Sequence, residues 1–200
     1  MLKNLFFSSL IEHIVKLNAH MQISNNTMTF DANSDFTINN LFEQINTNNI
    51  DTINIKGDVT EINYFLGVEF IKNVNINTDH TVTLSDSLFY GSRNIESVTC
   101  TNNIVVGPKC FEQSTIRNID FTKITEIGED AFRNCYNIKN TDLKVLTDIG
   151  PSAFASSGLE SVMIPSTISK IPDHCFYQCP NLTNVEFKGP VDIDQYAFAD

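Results

Sequence analysis

Two stretches of this chain can be laid on each other almost residue on residue: Ile127-Gly-Glu-Asp-Ala-Phe132-Arg-Asn-Cys135-Tyr-Asn-Ile138 and Ile171-Pro-Asp-His-Cys-Phe176-Tyr-Gln-Cys179-Pro-Asn-Leu182. A third copy, Ile149-Gly-Pro-Ser-Ala-Phe154-Ala-Ser-Ser157-Gly-Leu159, lies between them and is one residue shorter. Repetition at a fixed period marks a solenoid, because one unit of this size cannot bury its own apolar face and must stack on a neighbour.

The Phe of the repeat recurs at Phe42, Phe65, Phe89, Phe111, Phe132, Phe154, Phe176 and Phe198, in steps of 23, 24, 22, 21, 22, 22 and 22 residues. After most of these Phe positions an aliphatic opens a strand of pattern Φ-x-x-Φ-x-Φ. Examples are Ile71-Lys-Asn-Val74-Asn-Ile76, Ile95-Glu-Ser-Val98-Thr-Cys100, Ile116-Arg-Asn-Ile119-Asp-Phe121 and Leu182-Thr-Asn-Val185-Glu-Phe187, and Ile50-Asp-Thr-Ile53-Asn-Ile55 fits as well. One strand per unit, stacked in register, predicts a parallel sheet down one side. A unit of 21 to 24 residues leaves no room for a long helix opposite, so the Ile-Gly-x-x-Ala-Phe segments are expected as short 3₁₀ or single helical turns with the rings stacked in the core. Gly128 and Gly150 follow the entering aliphatic, where a tight turn is expected.

The consensus I-G-x-x-A-F-x-x-C-x-x-L-x-x-V-x-[IL]-P resembles the BspA-like leucine-rich repeat. The resemblance is strong over Leu84 to Asp200, weaker over Leu41 to Thr83 and absent over the first 36 residues. Departures are Thr141 at a strand core position and Val106-Gly-Pro in place of Ile-Gly. The resemblance implies a right-handed leucine-rich-repeat arc with the parallel sheet on its concave face, and a protein exposed on a cell surface that adheres to host or matrix proteins.

Ahead of the repeats, residues 1 to about 22 place Leu2, Phe6, Leu10, Ile14 and Leu17 at three- and four-residue intervals, with Lys3, Glu12, His13 and Lys16 on the other side. That spacing predicts an amphipathic helix serving as an N-terminal cap. A signal peptide fits less well, since Ser8-Ser9 and Glu12-His13 break the apolar run and no clean cleavage site follows. Residues 23 to 36 read as a strand or loop joining the cap to the solenoid. The expected organisation is a cap over 1–36 and about seven repeat units over 37–200, the last of them lacking its strand.

Composition narrows the partners. A formal charge of -11 with only 13 Lys and Arg, scattered, argues against nucleic acid and anionic membrane surfaces. No apolar run approaches the roughly 20 residues of a membrane span. Cys135 and Cys179 stand where Ser92, Ser114 and Ser157 stand in other copies; Cys110 and Cys175 stand where Ala131, Ala153 and Ala197 do. Exchange with Ser and Ala marks small buried positions rather than metal ligands or a disulfide framework. His174, Cys175 and Cys179 supply too few ligands for a closed zinc site.

No catalytic constellation emerges: His13, His20, His80 and His174 are dispersed, and the sequence carries no phosphate-cradling glycine loop or HExxH. Neither a catalytic residue nor a cofactor is predicted.

The residues flanking the central aliphatic of each strand point away from the core and make two columns. One is Thr52, Asn73, Ser97, Asn118, Asn140, Ser161 and Asn184; the other is Asn54, Asn75, Thr99, Asp120, Asp142, Met163 and Glu186. Asn and Thr serve to solvate an exposed sheet in any single repeat, and the binding reading rests on the ensemble, because extended solenoid faces are where such proteins hold ligands. Asp120, Asp142 and Glu186 favour a protein partner with a basic patch. Either the chain is a fragment of a longer array, or the open edge beyond the last strand is covered by a partner or by self-association with a second copy. An adhesin is the leading reading; the alternative is an intracellular scaffold docking a signalling enzyme, which five cysteines without an evident disulfide pattern favour.

Overall fold

The computed structural model describes residues 21–32, 50–62 and 70–200. Its described coils contribute a strand to one parallel wall, a short strand to a second and, from Phe89 onward, a turn carrying the repeat Phe to a third.

The first sheet opens with Met21–Ser24 antiparallel to Thr27–Ala32, joined through Asn25-Asn26 with Asn25 at φ 52. Thr27–Ala32 then pairs in parallel with Thr52–Gly57, and Asn73–Asn77, Ser97–Cys100 and Asn118–Ile119 follow in order. Alternation sets the faces: Ile53 and Ile55 are buried while Thr52 and Asn54 are half-exposed, and Val74 and Ile76 repeat the pattern.

The sheet resumes as Asn140–Asp142, Ser161–Ile164 and Asn184–Phe187. Between its two parts stands a 3₁₀ turn, Phe121–Lys123, in the 21-residue coil from Phe111 to Phe132. Asp120 caps that turn by accepting from the Thr122 N–H at 3.0 Å and hydroxyl at 2.6 Å.

The N-terminal helical cap lies outside the described residues, save that Met21 and Gln22, read as its end, belong to a strand. The described residues contain no α-helix. Phe42 and Phe65 also lie outside them. The segment expected to join cap to solenoid is itself in the sheet, since Thr27-Met28-Thr29-Phe30 has the same x-Φ-x-Φ alternation as Thr52-Ile53-Asn54-Ile55 and buries Met28 and Phe30 beside it.

The side expected to hold turns alone also carries a second parallel sheet: Glu61–Ile62, Val82–Leu84, Ile104–Val106, Ile124–Ile127 and Asp148–Ile149, followed by the pair Lys170–Ile171 and Asp192–Ile193. These strands have two to four residues each, too short for alternation to register in the sequence.

The Phe segments are not 3₁₀ turns. Two residues four apart adopt the left-handed conformation in each: Lys109 and Gln113, Asp130 and Asn134, Ser152 and Ser156, His174 and Gln178, all with φ between 50 and 59. Most of their backbone N–H groups are used, in two alternating sets. Those of Lys109, Phe111 and Gln113 donate to Glu129, Ala131 and Arg133 of the next coil at 2.8, 2.9 and 2.8 Å. Those of Cys110, Glu112 and Ser114 donate three residues back within their own coil at 3.2, 3.1 and 2.9 Å. The alternation supplies a third ladder of bonds along the solenoid axis, which holds non-glycine residues in a conformation that costs roughly 1–2 kcal/mol each.

The rings stack as expected. Phe89, Phe111, Phe132, Phe154, Phe176 and Phe198 lie with successive centroids 5.2, 5.3, 5.2, 5.6 and 5.1 Å apart and planes within 13° of parallel. Gly128 and Gly150 have negative φ; each is needed because a Cβ there would stand 2.5 Å from the backbone of the preceding coil, at Pro108 and Glu129. Gly158 meets the same demand more severely, 2.0 Å from the Tyr136 carbonyl oxygen, in the coil that is one residue short after its Phe.

Truncating the stack, by Phe132→Ala or Phe154→Ala, is expected to cost about 3–5 kcal/mol in urea denaturation. Thr141 is the opposite case. It occupies a core position held elsewhere by Val98, Val162 and Val185, and its buried hydroxyl has no partner. Thr141→Val is therefore expected to raise stability by about 1 kcal/mol, read as a higher urea midpoint at unchanged slope.

Candidate functional site

The register of the first sheet places the predicted columns side by side. Asn73 stands opposite Thr52 and Ser97, Asn75 opposite Asn54 and Thr99, and Ser97 opposite Asn118. Beyond the break, Asn140, Ser161 and Asn184 align, as do Asp142, Met163 and Glu186. Thr27 and Thr29 extend the two columns by one strand at the other end, through their pairing with Thr52 and Asn54.

Asp120 does not continue its column. Its carboxylate is turned onto Thr122, and the single ladder read from the sequence is two ladders, one of five parallel strands and one of three.

Many of these side chains bond to one another along the sheet. Asn54 Nδ2 donates to Thr29 Oγ1 at 3.3 Å, Asn75 Nδ2 to Asn54 Oδ1 at 2.9 Å, and Thr99 Oγ1 to Asn75 Oδ1 at 2.7 Å. In the second column Asn73 Nδ2 donates to Thr52 Oγ1 at 3.3 Å and Ser161 Oγ to Asn140 Oδ1 at 2.7 Å. Such cross-strand pairs stabilise a sheet, and they hold the polar face in one arrangement. Asn118, Asn140, Asp142, Asn184 and Glu186 are exposed, Met163 and Ser161 half-buried. Lys188 lies against the Glu186 carboxylate.

The turn wall carries a different surface. A groove of about 350 Å³ lies across successive turns, lined by Arg133, Ser152, Ser156, His174, Tyr177 and Gln178. The His174 ring meets Tyr177 edge to face at 4.8 Å and Tyr196 at 5.2 Å. Its Nδ1 is 2.8 Å from Asp173 Oδ2, and Arg133 is paired with Asp130 at 3.3 Å. Nothing in the sequence singled out this groove; its trace is that His174 and Tyr196 occupy a turn position filled elsewhere by Ser87, Lys109, Asp130 and Ser152.

All five cysteines are free and buried. Cys135 Sγ lies 3.0 Å from the Phe111 carbonyl oxygen and 3.7 Å from Ser114 Oγ, and Cys179 Sγ is placed likewise against Phe154 and Ser157, at 3.1 and 3.5 Å. Burial pushes every thiol up, Cys110 and Cys175 furthest, and Cys135 from 9.0 to about 12, opposed by its bonds to Ser114. Such thiols stay protonated and unreactive near neutral pH. Among the described residues no three His, Cys, Asp or Glu side chains stand close enough to share a metal ion. Cys175 and Cys179 face the core while His174 faces the groove.

A solenoid whose coils repeat a stacked Phe, flanked by Ala or Cys and followed by Φ-x-x-Φ-x-Φ strands, now stands against known families. The model for the BspA type leucine rich repeat region matches in six copies over residues 2–117 and 104–200. This chain belongs to that family. The match begins at residue 2, well ahead of Leu41 where the repeat becomes legible by eye. No curated protein and no solved structure matches the chain. Repeat solenoids of this kind typically serve as protein-interaction modules. No helix among the described residues is long and apolar enough to cross a membrane.

The buried thiols set an alkaline limit. The unfolded chain loses thiol protons near 9.0 while folded Cys135 keeps its own to about 12, so the native state binds more protons across that window. Stability is fully present below the window and falls as pH rises through it. Urea midpoints are expected to drop above pH 9.0, and a thiol reagent at neutral pH should label no cysteine until urea unfolds the chain.

Proposed function

We propose that the chain holds a protein partner on the exposed face of its strand sheet, without catalysis, as a surface antigen or adhesin. The observation that supports this most is the in-register pair of polar columns, ordered by their own hydrogen bonds before any partner arrives. Preordered side chains lose little entropy on binding, which leaves more of the contact energy for affinity. The proposed contact residues are Asn73, Asn75, Ser97, Thr99 and Asn118 on the larger ladder, and Asn140, Asp142, Ser161, Met163, Asn184 and Glu186 on the smaller one. Asp120, turned onto its own cap, contributes charge at the junction rather than a free carboxylate.

Asp142 and Glu186 flank Met163 on neighbouring strands, giving an apolar contact between two acids and favouring a basic patch on the partner. Reversing both, with Asp142→Lys and Glu186→Lys, is expected to weaken capture of the partner at least tenfold at low salt while leaving the urea midpoint unchanged. Undiminished capture by the double variant would place the contact elsewhere.

A second reading, an intracellular scaffold that docks a signalling enzyme, is favoured by the five free thiols, since exported proteins more often pair their cysteines. A membrane-impermeant biotin reagent on intact cells separates the two. The adhesin reading expects labelling before lysis; the scaffold reading expects protection until lysis.

A further inference from the structure

The chain carries 24 asparagines, and only two of them head an Asn-x-Thr or Asn-x-Ser triplet: Asn25-Asn-Thr27 and Asn181-Leu-Thr183. In exported proteins that triplet accepts a sugar chain on the asparagine amide, and in the folded product it belongs on a surface turn. Both copies stand on one. Asn25 is at the tip of the hairpin between Met21–Ser24 and Thr27–Ala32, at φ 52, a conformation that asparagine holds more cheaply than most residues. Asn181 lies on the turn that leads into Asn184–Phe187. Both side chains are exposed, and neither amide is hydrogen-bonded among the described residues.

The strand face shows the reverse. Its two columns mix Asn, Ser and Thr two residues apart, which is the spacing at which an acceptor triplet arises by itself. Where the first column holds Asn, at Asn73, Asn118, Asn140 and Asn184, the second holds Asn75, Asp120, Asp142 and Glu186. Where the second holds Thr, at Thr29 and Thr99, the first holds Thr27 and Ser97. A single exchange, Ser97→Asn or Asn75→Thr, would put an acceptor in the middle of the face, yet no described strand contains one.

A sugar chain in that position would cover the columns, because a linked oligosaccharide is bulky and hydrated. Asn25 and Asn181 stand on turns ahead of the column residues Thr27 and Asn184, outside both columns, so a sugar chain on either leaves the face open. Acceptors confined to exposed turns, and missing from a face built of the residues that form them, suit a chain that passes through a glycosylating compartment. A chain that never enters such a compartment is under no such constraint.

We propose that Asn25 and Asn181 are N-glycosylation sites, modified by a membrane-bound transferase that uses a polyprenyl-diphosphate-linked oligosaccharide. The asparagine side-chain nitrogen forms a bond to the anomeric carbon of the first sugar, and the bond from that carbon to the diphosphate oxygen breaks. Polyprenyl diphosphate leaves with the electron pair, the amide gives up one proton to a base of the transferase, and nothing is oxidised or reduced. Transfer acts on the extended chain during export, so the bonds of Thr183 to the Glu160 carbonyl oxygen in the fold do not oppose it. The inference rests on the surface-antigen reading, since a chain confined to the cytosol does not meet that sugar donor.

The test takes the protein from its native cells, unfolds it, and treats it with an amidase that releases N-linked sugar and leaves aspartate in place of the asparagine. Treatment is expected to raise gel mobility, and peptide mass spectra are expected to show aspartate in place of Asn25 and Asn181 in treated material alone. Asn25→Gln and Asn181→Gln, expressed in the same cells, should each remove part of the mobility shift and together all of it. Asparagine left unchanged at both positions, in protein that the impermeant biotin reagent labels on intact cells, overturns this inference and leaves the surface reading standing. Unchanged asparagines in protein that is protected from biotin until lysis overturn both. A mobility shift that persists in the double variant overturns the assignment by placing the sugar on other residues.

Discussion

Coil-on-coil registry of the Phe turns governs the rest of this molecule. Five consecutive ring pairs lie 5.1 to 5.6 Å apart, close to the roughly 4.8 Å spacing of the strands they run beside. The match lets one step of the solenoid satisfy a ring stack, two sheet ladders and a turn ladder at once. It also dictates the neighbours: the residue before each Phe is Leu, Cys or Ala, fully or nearly buried, because a larger polar group would part the coils. Cys135 and Cys179 occupy the matching small position after the Phe and use their thiols against carbonyls of the preceding coil. Cysteine here is a packing residue with a weak donor.

Because each coil touches only its neighbours, irregularities remain local. The 21-residue coil accommodates its missing residue with the 3₁₀ turn at Phe121–Lys123, and the strand sheet is interrupted there while the Phe stack continues through Phe132. The coil after Phe154 is short on the other side of its turn, and Gly158 lets the backbone run against Tyr136 to recover the register. Thr141, the polar residue at a strand core position, sits on the first strand after the break, where its hydroxyl finds no partner.

The two exposed faces differ in physical character. On the strand face, short polar side chains bond along the sheet and make a preordered, hydrated surface with acids toward one end. On the turn wall, bonds to the next coil and within each turn use most backbone N–H groups, and large side chains project from left-handed positions that tolerate them poorly. The first is built largely from Asn, Thr and Ser on successive strands. The second varies from copy to copy, and that variation is where a repeat protein can encode a specific partner.

The 22-residue period, the buried Phe, the small residues beside it and the Φ-x-x-Φ-x-Φ strands were legible in the chain, because each follows from side-chain size and alternation repeated often enough to average out local noise. The two polar columns were legible for the same reason, although Asp120 left its column and Thr27 and Thr29 joined. Tertiary structure alone decided the second sheet, whose strands of two to four residues are fixed by stacking rather than by their own propensity. It alone decided the left-handed pairs on the turn wall, where N–H bonds to the next coil hold residues such as Lys109, Gln113 and Gln178 in that conformation. The aromatic cluster was invisible for that reason: His174 and Tyr196 stand at left-handed positions on adjacent coils, and that geometry brings both of their rings together and Tyr177 beside His174.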